Sequence, residues 1–280
     1  MSEEVPIGII ELGDVNIKCI IFKINNKNEI EILSTALIPS AGIQNNIIVN
    51  LSKASNSLRS CIGTAEKKAK ISLKKINVVF EQPDFLCTKF SKNKKINGSK
   101  IHKDDIDFLL KEAKKQLILN DKNQSIIHIF NHNYVVDGKT FVEEPIGVFA
   151  DSLNHEITFI TAPKNNLKNI RQAFIDCDIE VERFISSVFT LGVEKLSHDE
   201  LQIGSILIKF GNEKISLGLF RKLALVHSIT FPIGTNHIYR DISKVCSLTL
   251  SESENIIKNL DFAFENNKKL FDENYYLKNI

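Results

Sequence analysis

Residues Gly204–Phe220 read GSILIKFGNEKISLGLF. Two runs of β-branched and aliphatic residues, Ile206–Phe210 and Ile215–Phe220, flank Gly211 and Asn212, a pair suited to a tight reversal. That pattern predicts a β-hairpin. The chain opens on the same device: Ile7–Glu11, then Leu12, Gly13 and Asp14, then Ile17–Phe22. Two hairpins of one kind, each at the head of its own set of strands, predict two lobes.

Composition bounds what those lobes do. Of the 280 residues, 43% are hydrophobic and 25% charged, the balance of a soluble globular protein with enough core for one large or two medium domains. The net charge is only +2, and five of the 36 basic residues are arginine (Arg59, Arg171, Arg183, Arg221, Arg240), which argues against the concentrated basic face of a nucleic-acid binder. Lys92, Lys94, Lys95 and Lys100 cluster in a Ser/Asn/Gly context and read as a solvated loop. Cys19, Cys61, Cys87, Cys177 and Cys246 lie far apart with no CxxC pair, so reduced thiols in a cytoplasmic protein are expected, without zinc or disulfides. The N-terminus, MSEEVPIG, enters a strand directly and carries no secretion pattern. No apolar run approaches the roughly 20 residues of a membrane span, so membrane contact is expected to be peripheral or through a partner.

Along the chain, Ile7–Phe22 and a third strand, Glu29–Leu37, are antiparallel neighbours by their short links. Apolar positions from Ile47 to Lys70 recur at helical spacing, and Ile76–Glu81 supplies the next strand. Strand, strand, strand, helix, strand is the start of a ribonuclease-H-like lobe. A different segment follows: strand Phe85–Phe90, polar loop Lys92–Lys100, helix His102–Leu119, short strands Ile126–Phe130 and Tyr134–Val136, the Asp137–Gly138 turn, and a strand Glu156–Thr161. This reads as an inserted α+β unit. Helix Lys164–Cys177, strand Val181–Ile185 and helical Ser187–Leu196 lead back to the second hairpin. The layout is that of an actin-like α/β fold, in which two such turns face one nucleotide from opposite sides.

The order and local sequence resemble FtsA, the actin-related family of bacterial cell division. The matching residues are IGIIELG at Ile7–Gly13, IPSAGI at Ile38–Ile43, HIFNHNYVVDG at His128–Gly138, EPIG at Glu144–Gly147 and EITFITAP at Glu156–Pro163. The likeness runs from Ile7 to about Lys258. It implies an actin-like ATPase fold with a first, 1A-like lobe over 1–84 and 163–200, an inserted SHS2-like subdomain, called 1C, over 85–162, and an incomplete second, 2A-like lobe over 201–280. It further implies a cytoplasmic protein at the division site that tethers FtsZ filaments to the membrane, recruits other division proteins and self-associates.

The resemblance also places a nucleotide site, which the residues themselves qualify. A turn binds phosphate when small residues let backbone N–H groups converge on the oxygens while an acid orients hydrated magnesium. Glu11 holds the family's acidic position and Gly13 its glycine, but Asp14 and Asn16 stand where small and basic residues are usual, and Asp14 would repel a polyphosphate. The family's second turn resembles D-x-G-G-G-T-x-D; here Lys209 replaces the acid, Gly211 is kept, and Asn212 and Glu213 replace glycines. Lys214 offers a point charge. Gly234 and Asp241–Ile242 keep the following loop and helix; Glu254 aligns with a glutamate near the ribose, with Lys258 one residue beyond the family's lysine. These changes predict a degenerate site, a hairpin kept to complete the sheet, and no catalytic residue.

Two competing readings stand beside this one. In the first, ATP with magnesium is bound by a variant geometry through Glu11, Lys209 and Lys214. In the second, the chain is a pilus-assembly actin relative. The family's C-terminal amphipathic membrane helix is expected to be missing, because the tail Asp261–Ile280 balances Lys268, Lys269 and Lys278 against Asp261, Glu265, Asp272 and Glu273 instead of showing a basic face. His128, His132 and His155, with Asp137 or Glu156, have no ligand spacing and read as structural.

Overall fold

A computed structural model describes residues 5–266 of the chain. By their contacts the described residues fall into two compact units, within Met1–Lys209 plus Ser216–Phe231 and within Phe210–Ile215 plus Pro232–Ile280. The larger unit begins with β1 (Ile7–Leu12), β2 (Asn16–Ile24) and β3 (Ile30–Pro39). They pair antiparallel, in the register Ile10↔Cys19 and Cys19↔Ala36. Two short strands, β4 (Ile43–Gln44) and β5 (Ile47–Ile48), pair with each other and lead into α1 (Leu51–Ala69).

The helix therefore starts four residues later than its apolar spacing suggests. Asn45 and Asn46 take left-handed backbone, φ 51° and 56°, and the Asn50 side chain caps α1 by accepting from the Lys53 amide at 3.0 Å. Ile47 and Ile48 thus serve a β-ribbon. From α1, Ala54, Leu58, Cys61, Ile62 and Ala65 are buried together with Ile17, Cys19 and Ile21 of β2. β6 (Lys75–Phe80) runs parallel to β1, and β11 (Glu180–Ser186) parallel to β6, giving the order β11-β6-β1-β2-β3.

Between β6 and β11 lies the inserted sheet. It comprises β7 (Leu86–Lys100), α2 (Lys103–Asn120), β8 (Gln124–Val136), β9 (Thr140–Val142) and β10 (Phe149–Pro163), in the order β7-β10-β8-β9. Three expectations are corrected here. Lys92–Lys100 is the second half of β7, hydrogen-bonded to β10 in the register Lys92↔His155. β8 runs unbroken through Asn131–Asn133, absorbing an irregularity opposite Glu156 and Ile157. β10 starts at Phe149, not Glu156.

The lysines of β7 hid its strand character because their stems cover apolar surface while their heads reach water or a partner. Lys94 Nζ lies 4.8 Å from the Phe108 ring centroid and 2.6 Å from Asp105 Oδ1, and this ammonium holds the Asp105 carboxyl below its usual range. Asp105 also accepts the His102 amide at 2.7 Å, closing the first turn of α2.

After the insertion come α3 (Lys164–Ile175), β11, α4 (Ser187–Lys195) and a short α5 (His198–Ile203) that the periodicity did not reveal. α3 buries Leu167, Ile170, Ala173 and Phe174. The strands β12 (Ser205–Phe210), β13 (Ile215–Arg221) and β14 (Ala224–Phe231) form a three-stranded sheet. The smaller unit holds α6 (Thr235–Cys246) and α7 (Leu250–Asn266). Of the tail, residues 267–280 lie outside the described residues.

Candidate functional site

The first turn links β1 to β2. A Cβ on Gly13 would stand 2.3 Å from the Asn16 carbonyl oxygen, so the reversal is tight enough to demand glycine. Asp14 does not project toward a ligand alone: its Oδ1 accepts the Asn46 amide at 2.9 Å. Asn46, buried in the core, donates its side-chain amide to the Leu12 carbonyl, and its own carbonyl accepts Gln82 Nε2 at 2.5 Å. The turn is thereby tied to the β4–β5 ribbon. Asn16, the first residue of β2, is exposed and lies opposite Pro39.

Glu11 and Lys209 are brought together, Oε1 and Nζ 3.7 Å apart. Lys209 Nζ also donates to Ser187 Oγ at 3.1 Å, at the start of α4. Behind it sits Glu81, fully buried, whose Oε2 accepts Ser186 Oγ at 2.7 Å and the Val188 amide at 3.1 Å. A protein carboxylate therefore fills the anion position that a helix N-terminus creates. Glu11, Lys18, Glu194 and Lys209 line a cleft of about 420 Å³ with Ile9 and Thr190, two acids facing two lysines. Asn46, Glu81 and Ser187 were invisible in the sequence because their partners lie 22 to 107 residues away.

The second turn is closed by α6. The Gly211 amide donates to the Lys214 carbonyl at 2.9 Å, and the Gly211 and Asn212 carbonyls accept the Thr235 and Asn236 amides at 3.0 and 2.8 Å. Gly234 makes this approach possible, since a Cβ there would lie 2.4 Å from the Gly211 carbonyl oxygen. Glu213, standing in place of a family glycine, accepts Asn236 Nδ2 at 2.7 Å and Arg240 Nη2 at 2.9 Å. Partial burial pushes its carboxyl up, but these hydrogen bonds outweigh it and hold the group below its usual range. Glu254 lies on α7 and pairs with Lys258 at 2.8 Å, one turn on. The structure thus joins Glu11 with Lys209, and Gly211 and Asn212 with Gly234.

The histidines have structural partners. His128 Nε2 accepts the Ser186 amide at 2.9 Å between Phe130 and Phe189, and burial lowers its pKa to about 4. His155 is buried and stacks on Tyr134 at 4.4 Å. Asp137 accepts the Asp151 and Ser152 amides, and Glu156 accepts the Asn133 side chain. The side chain of His132 lies outside the described residues. Among the described residues no helix is long and apolar enough to cross a membrane.

Comparison with known proteins agrees with this architecture. Residues 86–161, which span β7 through most of β10, match the family described as the SHS2 domain inserted in FtsA. The cell division protein FtsA of Buchnera aphidicola subsp. Schizaphis graminum is 26% identical over 255 residues, covering 91% of this chain and 60% of that protein. The chain is FtsA-like. FtsA of Neisseria meningitidis is 22% identical, over 89% of the chain and 60% of its own length. The chain thus spans about 60% of the length of the curated relatives it matches. Among solved structures, a PilM–PilN type IV pilus biogenesis complex superposes with a TM-score of 0.66 at 10% identity, over 96% of this chain and 74% of that one. The ethanolamine utilization protein EutJ of Carboxydothermus hydrogenoformans gives 0.50 at 10% identity, over 94% and 63%. The fold is the actin-like ATPase fold carrying an SHS2 domain.

Proposed function

We propose that this FtsA-like chain is a cell-division scaffold, working at the cytoplasmic face of the membrane at the division site. It links FtsZ filaments to that membrane, peripherally or through a partner, contacts further division proteins, and self-associates. The observation that carries the reading is the SHS2 insertion at 86–161 within a chain whose curated relatives bear the name cell division protein FtsA. Co-sedimentation tests it: the chain pellets with polymerised FtsZ and stays in the supernatant without it. A chain that ignores FtsZ polymers overturns the link.

The condition of the two turns supports a scaffold without nucleotide chemistry. ATP with magnesium fits them poorly. In the first turn the Leu12 carbonyl and the Asp14 carboxylate are engaged by Asn46. Glu11, in the family's acidic position of the first turn, faces Lys209, which stands where the family has an acid in the second. In the second turn the Gly211 amide is already bonded, and the α6 amides that would suit a phosphate are taken by the turn's own carbonyls. A cleft with two acids and two lysines exerts little net pull on a polyanion.

Calorimetry with Mg-ATP separates this from the reading in which Glu11, Lys209 and Lys214 hold the phosphates. The expected result is no saturable heat at micromolar protein; micromolar binding that disappears in Lys209→Ala overturns the degenerate-site reading. Labelled protein in dividing cells should form a mid-cell band, and polar foci would favour the pilus-assembly reading, for which the PilM likeness bears on fold alone.

A further inference from the structure

The turn that joins β13 to β14 is strained. Its central residues, Lys222 and Leu223, both take left-handed backbone, φ 51° and 60°. A two-residue hairpin turn asks for that conformation and is normally given Asn-Gly or Asp-Gly, because an L side chain there costs roughly 1–2 kcal/mol. The strain is held in place by α5, whose Gln202 and Leu201 carbonyls accept the Lys222 and Leu223 amides at 3.0 Å each. Strain fixed by its surroundings points to a position whose side chain has a use. Lys222 reaches the inserted sheet, where its Nζ donates to Asn133 Oδ1, and Asn133 Nδ2 in turn donates to Glu156.

Lys222, Asn133 and Glu156 line a cavity of about 550 Å³ within the larger unit. Phe220 is buried so close to α4 that a Cβ on Gly192 would lie 2.0 Å from its ring, and strand alternation therefore turns its neighbours Leu219 and Arg221 the other way, into the cavity. Lys89 of β7 also lines it, and Phe90 and Val226 add apolar surface to that of Leu219. Three cations thus meet one carboxylate, which Asn133 already engages. Among the described residues the side chains of Lys89 and Arg221 form no hydrogen bond or ion pair, so the cavity carries positive charge without a counter-charge. Asn133 and Lys222 line a neighbouring cavity of about 490 Å³ as well, so this pair divides the two and leaves no continuous groove for an extended chain.

We propose that the cavity binds a small amphipathic anion, a carboxylate carried on an apolar body. Its volume is that of a small-molecule pocket, apolar surface with a few placed polar groups. Arg221 and Lys89 take the carboxylate, and Leu219 and Val226 take the apolar body. Glu156 in the same cavity favours a singly charged head over a doubly charged one, since like charges repel more strongly as either grows. The strained turn is then the device that places Lys222 between Asn133 and the ligand. This inference stands apart from the scaffold reading.

Calorimetry of the full chain with octanoate tests it, against octan-1-ol, octylamine and inorganic phosphate, which lack the charge, its sign and the apolar body in turn. Octanoate should bind saturably, one per chain, and each of the others at least tenfold more weakly. Arg221→Gln and Lys89→Gln should each weaken octanoate at least tenfold with melting temperature unchanged, because both side chains are exposed. Lys244→Gln, at an exposed cation of the smaller unit, should leave binding as it was. Lys222→Gly relieves the left-handed strain and should weaken binding without lowering the melting temperature. The proposal is overturned by octanoate that fails to saturate, by any of the three comparison ligands binding as tightly, or by affinity that survives Arg221→Gln. A Lys222→Gly chain that melts lower and binds fully overturns the role given to the turn.

Discussion

The β1–β2 turn and the β12–β13 turn look like a matched pair in sequence, yet they are closed by different means. The first is held by one buried side chain, Asn46, which reaches back to the Leu12 carbonyl from a ribbon more than thirty residues on. The second is held by backbone: two amides at the start of α6 meet two carbonyls of the turn, and Gly234 permits the contact. Conservation of shape does not require conservation of device. A side-chain closure is broken by deleting a group, and a backbone closure by adding one.

That contrast sets the experiments. Gly234→Val should have the largest effect. Its Cβ would be forced within 2.4 Å of the Gly211 oxygen, and such overpacking costs about 3 kcal/mol. Hydrogen exchange should show faster amide exchange at 211–214 and 235–240, with the amides of Asn46 and Val188 unaffected. The reverse holds for Asn46→Ala. It leaves the buried Leu12 carbonyl without its donor and puts alanine at φ 56°, for a loss of about 2 kcal/mol read as a lowered urea midpoint with an unchanged slope. Equal responses of both turns to either substitution would break the distinction.

Acid offers a third probe, spread over more than two pH units and confined to the unit that holds the first turn. The folded His128 imidazole has a pKa of about 4 against an ordinary 6.5. Between those values the unfolded chain takes up a proton that the folded chain refuses, so stability is full above pH 6.5, falls as pH drops and levels off below pH 4. Across the whole window the loss should approach about 3 kcal/mol, and His128→Gln should flatten that part of the pH profile. A profile unchanged in the variant would show that another group governs it. Smallest is Lys209→Ala: its pairing with Glu11 at 3.7 Å is solvent-accessible, and its removal should shift stability by less than ~1 kcal/mol.

Periodicity was a good guide wherever one face of an element met the core. Hairpins, α1, α2 and α3 announced themselves through alternating or helical apolar spacing, and the inserted α+β unit through its change of pattern. It failed where long polar side chains took over the work of covering surface. The second half of β7 reads as a loop because its lysines lie across Phe90 and Phe108. It also failed at α1, where Ile47 and Ile48 satisfied the helical spacing but were needed for the β4–β5 ribbon. The places of Glu11, Gly13, Lys209 and Gly211 in the two turns, and of Gly234 in the loop before α6, were legible, whereas the contacts of Asp14 and Glu213 were not. Each carries a charge that looks misplaced beside a phosphate until its partner, the Asn46 amide or the Asn236 and Arg240 side chains, is seen.

By itself, then, the sequence determined the order of the main elements, the insertion and the likeness to FtsA, because these follow from local patterning and from the spacing of short motifs. Only the tertiary structure decided which groups close the turns, that Glu81 fills the start of α4, and which side of β12–β14 faces out. Those outcomes depend on hydrogen bonds and packing between residues far apart in the chain, and alternation along a strand states that it has two faces without stating which one the rest of the molecule will cover.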